Sequence, residues 1–253
     1  EAGVGFNISL TEPNFLGRGQ AVGVSVTTGT DSTEGSFSFA EPAFLGRDVK
    51  LSFGVSYRES DNENSASYDT RVGRLSTGLE FPLGELSRLQ VRYTYQDSKI
   101  SNAPATASAI LKAEAAQGAV TSSSVGYTYS YDTRISGLNP KGGILLRFSQ
   151  DFAGLGGDSQ YVMTSALALA ETKVMQEEVT LRTIFEGGMI NSLGNTNSRA
   201  TERFFGNSKI RGFESNGLGP RDLSVAGQDA LGGNMFAVAR FEADFPLGLP
   251  EEY

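Results

Sequence analysis

Residues 88–96 read "RLQVRYTYQ". Leu89, Val91, Tyr93 and Tyr95 alternate with Arg88, Gln90, Arg92, Thr94 and Gln96. A period of two sorts side chains onto the two faces of an extended strand. One face here is apolar and aromatic; the other is polar and charged. "KLSFGVSYR" (50–58) repeats the pattern with Leu51, Phe53, Val55 and Tyr57 on one side. In "VGYTYSY" (125–131) Val125, Tyr127, Tyr129 and Tyr131 oppose small polar residues. Extending this reading predicts eleven strands, at about 3–10, 20–28, 34–40, 49–58, 70–81, 87–97, 121–131, 142–151, 159–171, 177–187 and 233–245. Most approach the ~9–11 residues that a tilted strand needs to cross a bilayer.

The connections carry the next argument. "EPNFLGR" (12–18) returns as "EPAFLGR" (41–47), and "FPLG" occurs at 81–84 and 245–248. All four lie at odd-numbered connections, on one side of an up-and-down sheet. The even connections run to about 5, 11, 23, 7 and 45 residues. Short turns on one side and long loops on the other form the pattern of an outer-membrane barrel, with the short side periplasmic. A soluble β-sandwich explains the alternation but not this asymmetry. "PATASAILKAEAAQGA" (104–119) is built of good helix formers. It is expected as a short surface helix in an extracellular loop, the other reading being a lid.

Composition narrows the function. The 253 residues include no cysteine and no histidine. Disulfides, thiolate metal sites and histidine-based nucleophilic catalysis are therefore not expected. The net charge of −8 argues against a broad nucleic-acid surface. No apolar run reaches the length of a transmembrane helix, which leaves a barrel open as the membrane form. The opening "EAGVGFNISL" lacks the marks of a signal peptide, so the chain is expected to be a mature piece. Strands one and eleven both end on the short-turn side. With the even strand number of bacterial barrels, at least one strand is expected before Glu1.

Candidate chemistry is sparse. Arg92, Arg147, Arg182, Glu186, Arg240, Glu242 and Asp244 fall in the inward register and read first as a solvated lumen. Glu242 and Asp244 share a face, a pairing too common to indicate acid–base catalysis. The acidic stretch 59–69 lacks calcium-loop spacing. "GLGGD" (154–158) reads as a glycine-rich hairpin, not a phosphate loop. "SKIRGFESNGLGPRD" (208–222) differs. Ile210 and Phe213 flank Arg211, and Gly212 permits a tight turn. Such a tip suits folding into the lumen and pairing its guanidinium with an inner-wall carboxylate. Glu242 is the candidate partner, because "FAVARFEADF" (236–245) puts it on the polar face.

These motifs resemble those of a known family. "KIRGFESNGLGP" resembles the sixth-loop signature of the BamA-type outer-membrane assembly factors, within the wider group of barrel insertases and two-partner secretion transporters. "ALGGN" (230–234), "NFLGRGQAVGV" (14–24), "EPAF" (41–44) and "YDTRISGLNPKGG" (131–143) fit in the same order. The resemblance implies an all-β, antiparallel up-and-down transmembrane barrel of sixteen strands behind periplasmic POTRA domains. Residues 1–253 would supply about eleven of the sixteen, the second to the twelfth, with a lumen-folding loop at about 188–232 and no POTRA domain. It implies non-enzymatic insertion of β-barrel proteins into the bacterial outer membrane. Implied partners are unfolded outer-membrane clients, outer-membrane lipids, and accessory lipoproteins acting through POTRA domains. No cofactor, metal or nucleic acid is implied. The site residues carried over are Ile210, Arg211, Gly212, Phe213 and Glu242, with Arg211 the lumen latch. A dedicated secretion transporter and a passive porin remain the alternatives. The lack of tryptophan departs from the usual aromatic girdles.

Overall fold

In a computed structural model the described residues are 4–29, 32–61, 68–134, 142–175, 178–194, 197–206, 209–213 and 216–245. Much of the acidic stretch, the center of the 131–143 hairpin, most of the second "FPLG" and parts of the loop motif (Ser208, Glu214 and Ser215) lie outside them. The strands are β1 (Phe6–Phe15), β2 (Gln20–Thr28), β3 (Ser32–Glu41), β4 (Lys50–Ser60), β5 (Asp69–Pro82) and β6 (Ser87–Ser101). After the helix α1 (Ala109–Ala116) come β7 (Ala119–Asp132), β8 (Gly142–Gly157), β9 (Tyr161–Val174), β10 (Val179–Ser192) and β11 (Met235–Asp244). They form one eleven-stranded sheet in sequence order, every pairing antiparallel. This is the expected all-β meander. Among the described residues β1 and β11 pair on one side only.

The register preserves the two faces from strand to strand. Leu79, Val91 and Tyr127 stand opposite one another across β5, β6 and β7, as do Gly78, Arg92 and Gly126. The apolar face is open: Phe53, Val55, Val91, Tyr93, Tyr95, Val125 and Tyr129 are all exposed. An apolar surface of this extent is foreign to soluble monomers and is what a lipid-facing wall presents. No described helix is long and apolar enough to cross a membrane.

Several bounds differ from the sequence reading. β1 runs through "EPNF", with a register shift between Glu12 and Phe15. "GLGGD" is no hairpin: β8 continues through it, with Gly154, Gly156 and Gly157 at positive φ. β10 continues to Ser192, so the long connection begins at Leu193. From β5 onward the strands before β11 hold 14 to 16 residues, against 9 to 11 in β1–β4. The extra length lies mainly at the long-loop end. There the inner face is buried at Gln96, Ser98, Ile100, Val120 and Ser122. The cover is α1 and the β10–β11 connection. The helix is therefore not a bare surface helix, for Leu111 is fully buried in a cluster with Tyr68, Ile100 and Ala200.

Candidate functional site

Helix α1 starts where Ser108 caps it, its Oγ accepting from the Ile110 N–H at 3.2 Å. The same hydroxyl donates to Asp222 Oδ2 at 2.6 Å, and the Ser108 N–H donates to Asp229 Oδ2 at 2.6 Å. One serine thus joins the helix start to two acids of the β10–β11 connection. Ser108 and Ser224 hold the Asp222 carboxyl below its ordinary range by donating to it.

Nearly two turns along, Glu114 is buried and pairs with Arg203. Its other oxygen accepts the Ala200 N–H at 2.8 Å. Arg199, only 3% exposed, reaches back under the helix and donates to the Glu114 carbonyl at 3.1 Å and the Ser98 carbonyl at 3.5 Å. Burial disfavors its charge, and the carboxylates of Glu114, Glu202 and Asp158 oppose that effect. Glu202 accepts the Arg199 N–H at 3.0 Å and the Ser159 hydroxyl at 2.6 Å. Desolvating such charges is tolerable only with this density of partners. The nearby Tyr68 phenol is pushed up to about 12 by burial, so it stays neutral. Together these contacts build a cap over the upper inner face. A cavity of about 1200 Å³ lies between the cap and the ends of β9 and β10.

Below the cap the connection turns onto the inner wall. Lys209 pairs with Glu186 of β10, and its ammonium stands 4.4 Å from the center of the Phe236 ring. Phe204 packs edge-on against Phe236 at 4.8 Å. Gly188 makes room for that ring, since a Cβ there would come within 2.4 Å of Phe236 Cε1. Arg240 approaches Glu186 at 3.6 Å. Arg182 lies among Glu171, Glu242 and Asp244 at 3.5, 3.3 and 3.3 Å. Farther round the wall, Arg92 donates to Asp151 at 2.8 Å and to Ser149 at 2.8 Å.

The structure places the residues picked from sequence as follows. Ile210, Arg211, Gly212 and Phe213 are all exposed, and Gly212 has φ 91°. Arg211 has no hydrogen-bond or ion-pair partner among the described residues. Glu242 does face inward, but its partner is Arg182. The two are not brought together. Lys209, two residues before Arg211, makes the wall contact instead. Sequence reasoning missed Lys209, Glu114, Arg199, Glu202, Arg203 and Ser108. "SRATERFF" (198–205) carries its charges in a stretch without period, which reads as a solvated loop.

Known proteins resemble the whole chain. It is 27% identical over 251 residues to the outer membrane protein assembly factor BamA of Neorickettsia risticii, covering 98% of this chain and 33% of that protein. It is 28% identical over 258 residues to the human sorting and assembly machinery component 50 homolog, covering 95% of this chain and 50% of that protein. The chain thus spans at most half the length of these relatives. The crystal structure of BamA from Haemophilus ducreyi lacking POTRA domains 1-3 superposes over 100% of this chain and 53% of its own, with a TM-score of 0.76 at 21% identity. That likeness fixes the fold as part of a barrel wall. Residues 14–252 match the Omp85 superfamily domain, and the chain belongs to the Omp85 superfamily.

Proposed function

We propose that this chain forms barrel wall of a BamA-type insertase, which assembles β-barrel proteins into a bacterial outer membrane. One observation carries the reading. The wall is apolar outside, and its longest connection folds inward to cap the inner face and grip it at Glu186. A passive pore needs an open lumen, whereas an assembly factor works from its wall. The likeness to assembly factors by sequence supports the same reading. The activity is non-enzymatic: the barrel presents strand edges and a locally disturbed bilayer to unfolded clients, without a cofactor.

Arg211 belongs to this reading as a latch. The exposed Ile210–Phe213 tip follows the Lys209 anchor, on an inner wall that carries Glu171, Glu186, Glu242 and Asp244. Seating the tip would give Arg211 a carboxylate there and hold the barrel in its working shape. Arg211→Ala in the full-length protein is then expected to raise protease cleavage of the loop and to lower client assembly. Unchanged cleavage and assembly would remove the latch.

The function is tested by depleting the full-length protein in its host and measuring the folded amounts of several unrelated outer-membrane barrels. A broad loss is expected. Normal barrels with one missing secreted protein would mean a dedicated transporter, and large steady conductance would mean a porin. The identity to the human protein favors a second reading, a mitochondrial outer-membrane member, which fractionation of the host distinguishes.

A further inference from the structure

The two copies of "EP-x-F-L-G-R" fold alike. Glu12 Oε1 accepts the Asn14 N–H at 2.8 Å, and Glu41 Oε1 accepts the Ala43 N–H at 3.0 Å. Gly17 donates to the Asn14 carbonyl and Gly46 to the Ala43 carbonyl, at 2.9 and 2.8 Å. Arg18 and Arg47 donate their N–H groups to Phe15 and Phe44, each at 3.2 Å. Both turns force a leucine into the left-handed region, Leu16 at φ 54° and Leu45 at φ 56°. Leucine avoids that region, and such strain persists where the surroundings or a function demand it. Yet both side chains are open, at 74% and 80% exposure.

The neighbors of these leucines lie on the outer wall. Phe15 and Leu16 border a largely apolar crevice with Leu10, Val22 and Val24, which Glu12 and Asn14 also line. Phe44 closes the end of a larger crevice of about 620 Å³, bounded by Leu51, Leu79, Val91, Tyr93 and Phe152. The charges are sorted as well. The acids of the two turns are engaged: Glu12 and Glu41 as above, and Asp48 with Arg88 at 3.1 Å. Arg18 and Arg47 are exposed, and neither side chain has a hydrogen-bond or ion-pair partner among the described residues. Two free arginines at matching positions stand out in a chain of net charge −8. The next short turn exposes Leu83 but carries Glu85 where these carry arginine.

We infer that the twin turns are docking sites for anionic phospholipid of the short-turn leaflet. The Phe-Leu pair meets the upper acyl chain beside the outer crevice, and the arginine two positions after each leucine takes the headgroup phosphate. The apolar part continues the lipid-facing wall, and the free guanidinium supplies complementary charge. The inference rests on reading that wall as lipid-facing and is independent of insertase activity.

The test uses the full-length protein in nanodiscs of phosphatidylcholine containing about one-fifth spin-labeled phosphatidylglycerol. The protein is expected to immobilize phosphatidylglycerol in preference to labeled phosphatidylcholine. Arg18→Gln with Arg47→Gln should weaken that preference about fivefold at each site. Leu16→Asn with Leu45→Asn keeps a residue that tolerates the left-handed turn. It should fold normally and hold less immobilized lipid. Absence of preference in the unaltered protein, or full preference in the arginine variant, overturns the proposal. So does a photocrosslinker at Leu45 that labels another polypeptide in native membranes rather than lipid. Failure to enter the disc at all would overturn the membrane reading itself, and circular dichroism on the same sample separates the two failures.

Discussion

Glu114 shows how a single side chain can hold two distant segments. Its carboxylate serves Arg203 and the Ala200 N–H at once, in nearly dry surroundings. Removing one member of a buried pair costs about 3–5 kcal/mol, because the partner charge is left uncompensated. Glu114→Ala is therefore expected to open the cap. Amide hydrogen exchange over 197–205 should accelerate by orders of magnitude while that of the inner strands stays slow. Asp222 makes the cap sensitive to acid. Its pKa is lowered by the Ser108 and Ser224 donors, so its contribution is complete above the ordinary aspartate range of ~3.9 and lost as pH falls below it. The protection of the amides at the start of α1, taken relative to their intrinsic exchange at each pH, should be unchanged between neutral pH and pH ~5 and should fall only below the ordinary range. Asp222→Asn should abolish that acid step. At this scale the sequence was least readable. Arg211 stood out through its glycine and flanking apolar residues, but its neighbors could not be inferred. Glu114 and Arg199 looked like any loop charges, because what buries them lies 85 positions away in the chain.

The strands were readable because one wall faces lipid and the other water, and the period of two writes that difference into each segment. The alternation fades where the cap covers the inner wall, since Gln96, Ser98 and Ser122 are buried there without being apolar. That is why the upper ends of β6 to β8 and β10 were underestimated. Helix α1 was legible from its composition, and its burial was not. Ser108→Ala should destabilize the helix start by about 0.5–2 kcal/mol as a lost N-cap. It also removes the Ser108 donor from Asp222 Oδ2, so the loss should sit at the upper end of that range, measured by exchange of the α1 amides. Gly188 is the contact point of another element. A methyl group there would displace Phe236 from beneath Lys209, and overpacking of this kind costs about 1–3 kcal/mol. Gly188→Ala should thus free the 209–213 segment for proteolysis while leaving the β10–β11 pairing intact.

At the scale of the molecule the wall, its apolar exterior and its inward connection describe part of a barrel wall whose inner face is sealed at the long-loop end. The all-β meander and the side of the long loops were legible, because both follow from strand pattern and connection length. The seal was not, because it is made by contacts between the β6–β7 and β10–β11 connections. Those contacts also impose a sequence of events. Most neighboring strands meet across short turns, so most hairpins close small loops. The cap joins Ser108 to Asp229 across 121 positions and Arg199 to Ser98 across 101. Loop-closure entropy and contact order make such distant unions late. Six strands, β6 to β11, bracket or lie between the joined segments. The cap thus reports completion: in the chain's own birth, it can latch only after that half of the wall has zipped.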